Sequence, residues 1–198
     1  MKTLIMATNN EHKLREIRQM LEGEYEVRGL ADIGCREEIP ETSETLEGNA
    51  LQKARYVAEH YGMDCFADDT GLEVEALDGA PGVYTARFGS MNGYGDSHDS
   101  DANIHCLVDK LAGKENRRAR FRTVIAFVHG GKESLFEGIV EGNILEKKTG
   151  TEGFGYDPIF APVETGMSFA EMGPEEKNRI SHRGRAIRKL VSFLQTDG

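Results

Sequence analysis

Apolar positions along this chain switch repeatedly between two periods. Leu4-Ile5-Met6-Ala7 is an unbroken apolar run and predicts a buried strand over residues 3–7. Past Thr8-Asn9-Asn10 the period becomes helical, with Leu14, Ile17 and Leu21 on one face of a segment spanning 10–21. Residues 24–30 form a second, mostly polar strand suited to a sheet edge, and 31–43 are polar and loop-like. A second helix covers 44–61, with Leu46, Ala50, Ala54, Val57, Ala58 and Tyr61 inward and Gly62 as its stop. Cys65-Phe66-Ala67 is a short buried strand running into Asp68-Asp69-Thr70-Gly71, and 72–76 alternates as a half-exposed strand does. Residues 78–82 read as a turn and the Gly-rich 89–97 as a mobile stretch. A third helix covers 100–112, capped by Ser100 and closed by Gly113. Strands at 120–129 and 133–141, joined at Gly130-Gly131, form a hairpin. A loop at 153–160, a polar helix near 174–179 and a last helix led by Ser181 complete the chain. That last helix places Ala186, Ile187, Leu190, Val191 and Leu194 on one face. The alternation predicts an α/β fold with a mixed sheet, parallel crossovers and a hairpin.

Two helix starts carry charge at the wrong end. The last helix opens on Ser181-His182-Arg183-Gly184-Arg185, with three basic side chains where the helix dipole is positive. The first opens on Glu11-His12-Lys13. Each such cation costs a few tenths of a kcal/mol, up to about 1, unless an anion sits with it. Both starts therefore read as anion sites, with phosphate the usual occupant. A lone Lys13 is equally at home in water, but three cations in one turn are harder to leave to solvent.

Charge balance narrows the partners. The 198 residues hold 34 Asp and Glu against 24 Lys and Arg, a formal net charge of −10, which argues against a nucleic-acid polymer or a membrane surface as partner. An acidic chain that binds an anion must gather its cations locally or recruit a divalent metal. The length suits a single domain over 1–198, or two closely packed lobes. Cys35, Cys65 and Cys106 are odd in number and widely spaced, so they form neither a disulfide framework nor a zinc site. The apolar start is too short for a signal peptide and no run reaches the length of a membrane span. The expectation is a soluble cytoplasmic protein.

Candidate chemistry gathers in a few places. Asp68 and Asp69 follow a buried strand, where α/β folds place ligands. Adjacent carboxylates repel, and a hard divalent ion shared with phosphate oxygens is one reason to pair them; a solvated turn is the other, since Asp-Asp-Thr-Gly is good turn chemistry. Glu41 lies just before the second helix and is a better free ligand than Glu44 or Glu47, which answer to the dipole. Asn49 and Lys53, one turn apart, face either a phosphate or water. Gly153-Phe154-Gly155-Tyr156-Asp157-Pro158 combines a flexible backbone, two aromatics and an acid, and suits a flat ring with a polar edge. No Walker A or Gly-x-Gly-x-x-Gly sequence occurs, and Ser97-His98-Asp99 are too close in sequence to assemble a triad.

Six motifs occur in order: Thr8-Asn9-Asn10-x-x-Lys13; Asn49-Ala50-x-x-Lys53-Ala54; Ala67-Asp68-Asp69-Thr70-Gly71-Leu72; Gly79-x-Pro81-Gly82-x-x-x-Ala86-Arg87-Phe88; Gly153 through Phe160; and Ser181-His182-Arg183-Gly184. Together they closely resemble the inosine-triphosphate pyrophosphatase family, the house-cleaning non-canonical purine NTP pyrophosphatases, over residues 3–194. The resemblance implies a two-lobed α/β fold around a long mixed sheet with flanking helices and a nucleotide cleft between lobes. It implies hydrolysis of ITP, dITP and XTP to the monophosphate and pyrophosphate, with Mg²⁺, by a homodimer. Rival readings are a related pyrophosphatase acting on other modified or pyrimidine NTPs and a non-hydrolysing nucleotide sensor; a sensor has no use for the acid set retained here.

The resemblance also assigns roles. Thr8, Asn9, Asn10 and Lys13 form the triphosphate cradle, and Glu41 and Asp69 are the metal ligands. Asp69 is also the general base, supported by Asp68. Lys53 stabilises negative charge and Thr70 bonds the phosphates. Phe154 stacks on the base beside Gly155, while Tyr156 and Asp157 line its pocket. Lys177, His182 and Arg183 close over the base and its 6-keto oxygen, which turns the basic start of the last helix from a phosphate site into a keto-oxygen site. The family commonly has Gly where Asn9 stands; Asn tolerates left-handed backbone, so the loop shape is expected to survive. Thr70 replaces a Ser and keeps the hydroxyl.

Overall fold

A computed structural model of the chain describes residues 1–196. In chain order its elements are β1 (Lys2–Met6), α1 (Glu11–Met20), β2 (Tyr25–Arg28), α2 (Leu46–Tyr61), β3 (Cys65–Val74), β4 (Pro81–Gly82) and α3 (Phe88–Met91). They continue with α4 (Ser100–Lys110), β5 (Arg118–His129), β6 (Lys132–Ile144), β7 (Phe160–Pro162), α5 (Pro174–Ile180) and α6 (His182–Thr196). Strand order is β2-β1-β3-β5-β6-β7, with β4 paired to β3. The β1–β2 and β1–β3 pairs are parallel, while β3–β4 and β6–β7 are antiparallel. This is the mixed α/β sheet the alternation predicts, with β2 at its edge. Among the described residues no helix is long and apolar enough to cross a membrane.

The chain divides into two compact units, each assembled from separated segments. The first comprises residues 1–69, 123–138 and 183–196, the second 70–122 and 139–182. The single domain expected over 1–198 also takes in Asp197 and Gly198, which lie outside the described residues.

In the first unit the period-two rule decides which helix each strand residue meets. Leu4 and Met6 of β1, Phe66 of β3, and Ile125 and Phe127 of β5 pack with Leu14 and Ile17 of α1 and Ile187 and Leu190 of α6. The alternate residues Ala7, Cys65, Ala67, Ala126 and Val128 pack with Ala50, Ala54 and Val57 of α2. One face of the sheet thus belongs to α1 and α6 and the other to α2. Full burial of a side chain such as Phe66 or Ile17 contributes roughly 1.5–3 kcal/mol. The second unit has its own core, in which Leu72 and Val74 meet Leu107 and Leu111 of α4, Phe121 of β5, Phe160 of β7 and Phe169.

Three boundaries differ from the sequence reading. β3 does not stop at Ala67 but runs through Asp68-Asp69-Thr70-Gly71 to Val74, so the expected turn is a strand. The cap of α4 is Asp99, whose carboxylate accepts the N–H groups of Asp101 and Ala102, while Ser100 is the first helical residue. A charged cap next to the positive helix end outcompetes a hydroxyl. The stretch at 89–97 begins inside α3, with Phe88 and Gly89 buried.

Candidate active site

The extension of β3 determines the chemistry of its two acids. Residues that alternate along a strand face opposite sides, so Asp68 shares the side of Phe66, and Asp69 the side of Ala67. Asp68 is thereby turned toward α1 and α6. Lys13 Nζ, in the first turn of α1, lies 3.0 Å from its Oδ1, and Arg183 Nε, in the first turn of α6, lies 3.2 Å from its Oδ2. Arg183 Nη1 also pairs with Glu16 of α1 at 2.7 Å. The anion predicted at both basic helix starts is therefore one protein carboxylate that serves both. Burial disfavours the Asp68 carboxylate, but Lys13, Arg183 and Lys53 outweigh it and hold its pKa well below the usual range. Removing one member of such a buried network costs about 3–5 kcal/mol.

Asp69 has a different environment. Burial lifts its pKa above the ordinary aspartate value; Lys53 and Lys13 oppose the shift, while Glu41 and Asp68 add to it. Lys53, from α2, is buried, and its Nζ donates to the backbone oxygen of Asp68 at 2.6 Å and pairs with Glu41 Oε1 at 2.6 Å. Burial works against the Lys53 ammonium, yet Glu41, Asp68 and Asp69 raise its pKa above that of a free lysine. The two adjacent carboxylates thus need no shared ion to coexist, because they face different cations on different sides.

The loop after β1 is built by its own side chains. Thr8 Oγ1 accepts the N–H of Asn10 at 3.1 Å, and Asn10 Oδ1 caps α1 by accepting the N–H groups of His12 and Lys13. Asn9 is exposed and its backbone is not left-handed, so the tolerance invoked for it is not used.

The second unit holds the aromatic group. Lys177, of α5, pairs with Asp157 at 2.7 Å with both side chains almost fully buried, and its ammonium lies 4.8 Å from the centroid of the Phe154 ring. Asp157 also accepts the Phe154 N–H at 3.0 Å. Gly153 permits this: its φ is +73°, and a Cβ there would sit 2.1 Å from Asp157 Oδ2. His182 stacks on Phe121, with centroids 4.6 Å apart. Tyr156 departs from its expected place: it belongs to the unit's core, and its hydroxyl donates to the Thr85 carbonyl at 2.6 Å. Thr85 Oγ1 in turn accepts the Leu72 N–H and donates to Gly82 O. Thr70, the next residue of β3, is half-buried, and Gly155 has a left-handed backbone with φ +61°.

The sequence reading missed Glu16 and Thr85. Glu16 left a signal: a buried acid three residues after Lys13, next to apolar Ile17, requires a cation. Its partner, Arg183, lies 167 residues away and is visible only once α1 and α6 share a face. Arg183 was expected with Lys177 and His182 over a base; the structure sets its guanidinium on Asp68 and Glu16.

Comparison with known proteins agrees with this geometry. The profile of the Ham1 family matches residues 4–193. A dITP/XTP pyrophosphatase of Porphyromonas gingivalis is 54% identical over 195 residues, covering 98% of each chain, and that of Bacillus subtilis is 44% identical over 199 residues, again covering 98% of each. Among solved structures, the Ham1 protein of Staphylococcus aureus superposes with a TM-score of 0.87 at 36% identity, covering 100% of both chains. A profile match over nearly the whole length, near relatives and a shared architecture lead to one conclusion: the chain belongs to the Ham1 family.

Proposed function

We propose that the protein hydrolyses non-canonical purine nucleoside triphosphates (ITP, dITP and XTP) to the monophosphate and pyrophosphate. The observation that carries the reading is the division of labour along β3, where one acid is locked by cations and its neighbour is held at a raised pKa beside Lys53 and Glu41. Relatives named dITP/XTP pyrophosphatase support the substrate class. The reading takes residues 1–198 as one functional domain acting as a cytoplasmic homodimer; the three free, buried cysteines suit a reducing compartment.

In this mechanism water attacks the α-phosphorus and pyrophosphate leaves. Asp69 accepts the proton of that water, a role suited to a carboxylate whose pKa is raised toward neutrality. Asp68 stays ionised and fixes Lys13 and Arg183. Lys13, Lys53 and the Thr70 hydroxyl take phosphate oxygens, and positioning with charge neutralisation supplies most of the rate. Thr8, Asn9 and Asn10 shape the cradle at the N-terminus of α1.

Among the described residues no group of three or more His, Cys, Asp or Glu is set to hold a metal ion. Mg²⁺ fits on other terms, since it takes one or two carboxylates and completes its shell with substrate oxygens and water. Asp69 and Glu41 are suitable donors, because each adds to the other's electrostatic cost and a cation would relieve both. When bound, Mg²⁺ neutralises charge developing on the phosphates.

The base goes to the second unit's group. Phe154 stacks on it beside Gly155, with Tyr156 and Asp157 supporting the pocket. Lys177, His182 and Arg183 present donors to the 6-keto oxygen. An ammonium or guanidinium has no acceptor, so the 6-amino group of ATP meets a second donor and buried groups stay unpaired. The test is pyrophosphate release from a panel of NTPs with Mg²⁺, after EDTA, and with Ca²⁺. Release should be fast for ITP, dITP and XTP, slow for ATP and pyrimidine NTPs, and absent after EDTA. Full activity without metal, or equal rates on all NTPs, would refute the corresponding part.

A further inference from the structure

Glu41 sits in a segment, residues 38–43, that has no regular secondary structure of its own. What fixes it comes from one face of α2. Asn49 Oδ1 accepts the N–H of Ser43 at 2.8 Å, and the Asn49 residue is only 4% exposed. One turn on, Gln52 Oε1 accepts the N–H of Thr42 at 2.9 Å, and its Nε2 donates to Thr42 Oγ1 at 3.1 Å. Lys53, the next residue, pairs with Glu41 itself. Upstream, Tyr56 and Tyr61 both donate to the Glu37 carboxylate, at 3.1 and 2.7 Å. Positions 49, 52, 53 and 56 have the spacing of a single helical face.

The close approach is built in at Gly48. A Cβ there would lie 1.9 Å from Ser43 Oγ and 2.6 Å from Ser43 Cβ. Glycine inside a helix costs roughly 0.5–1 kcal/mol relative to alanine, a cost explained if the segment must lie against the first turn. A buried amide such as that of Asn49 must find a partner, and the partner it finds is the backbone two residues after Glu41.

We propose that Asn49 is a positioning residue for Glu41, fixing the acid-bearing segment to α2, with Gln52 and Gly48, so that the carboxylate is held ready for a divalent cation. This rests on the reading of Glu41 as a metal ligand. Partners that orient a ligand in this way change metal affinity by about 10–100-fold when lost.

The test uses the full chain with Mg²⁺ and a non-hydrolysable α,β-imido dITP. In Asn49→Ala, hydrogen exchange at the Ser43 amide should accelerate without any metal present. Calorimetric Mg²⁺ affinity for the nucleotide complex should fall about 10–100-fold, while nucleotide affinity at saturating Mg²⁺ stays near wild type. Gly48→Ala, which pushes Ser43 away yet retains Asn49, should do the same, and it carries the test if Asn49→Ala melts at the assay temperature. Glu41→Gln separates the two ideas. If it weakens Mg²⁺ while Asn49→Ala and Gly48→Ala do not, the positioning role is overturned and the ligand reading stands. If Glu41→Gln binds Mg²⁺ like wild type, the ligand reading fails and takes the positioning role with it.

Discussion

The acid group of the first unit and the aromatic group of the second use the same residue types under different rules. In the first, Asp68 is shared by cations from two helices and Lys53 divides itself between Glu41 and a backbone oxygen, so no charge has a single partner. In the second, Asp157 and Lys177 form one buried pair beside the Phe154 ring. Distributed charge suits a polyanion, whose several oxygens can each replace part of an existing contact. A single pair beside an aromatic face suits the edge of a flat ring, where one misplaced donor decides acceptance. The same contrast recurs within the first unit, between Asp68, which is locked, and Asp69, which is held at a raised pKa.

The largest expected effect breaks that inner contrast at Asp69. Asp69→Asn should lower kcat by about 10²–10⁴-fold, the range for a lost general base, with melting temperature at or above wild type because an ionised buried group is replaced by a neutral one. A residual kcat above about a tenth of wild type, less than about 1.4 kcal/mol, would remove Asp69 from the role of base. Asp68→Asn should act on the fold. It leaves Lys13 and Arg183 buried without their shared anion and should cost about 3–5 kcal/mol, lowering Tm by about 6–20 °C in a thermal melt.

Arg183→Ala sharpens the comparison between the two groups. If Arg183 reads the base, kcat/KM for ITP should fall about 10- to 100-fold, that for ATP much less, and the ITP/ATP ratio should shrink. Lys13→Ala, which removes a phosphate contact, should weaken both substrates alike. Equal losses in Arg183→Ala would mean that the arginine serves only Asp68.

The smallest effect is on acid stability, and its sign differs between the neighbours. The Asp68 pKa is depressed in the folded state, so its contribution is complete above the unfolded value of about 3.9 and is lost as pH falls through the folded value. The Asp69 pKa is raised, so protonation relieves the folded state as pH falls through it. Urea melts between neutral pH and about pH 3 should show a shallower acid-side decline in Asp68→Asn than in wild type, and no such flattening in Asp69→Asn.

Much of this was legible in the chain. The apolar run at Leu4–Ala7, the helical spacing of Leu14, Ile17 and Leu21, and the hairpin at Gly130-Gly131 all lie where their periods put them, because burial of a periodic face is local information. The basic turns at Lys13 and Arg183 correctly signalled an anion. Asp68–Gly71 was harder to read, since by local chemistry it is a turn, and only cations arriving from three helices make a strand through two acids tolerable. Tyr156 was assigned to a pocket because its neighbours Phe154 and Asp157 suit one, but its hydroxyl bonds a carbonyl 71 residues earlier.

By itself the sequence determined the elements, the two helix starts that need an anion, and the six motifs that mark the family. These follow from spacing along one chain, and spacing is preserved however the chain folds. The tertiary structure decided which anion the helix starts receive, which of two adjacent acids is locked, and what α2 does for Glu41. Those outcomes depend on which side of a strand meets which helix. A shift of one residue in β3 would exchange Asp68 and Asp69 between the cations of α1 and α6 and the lysine of α2.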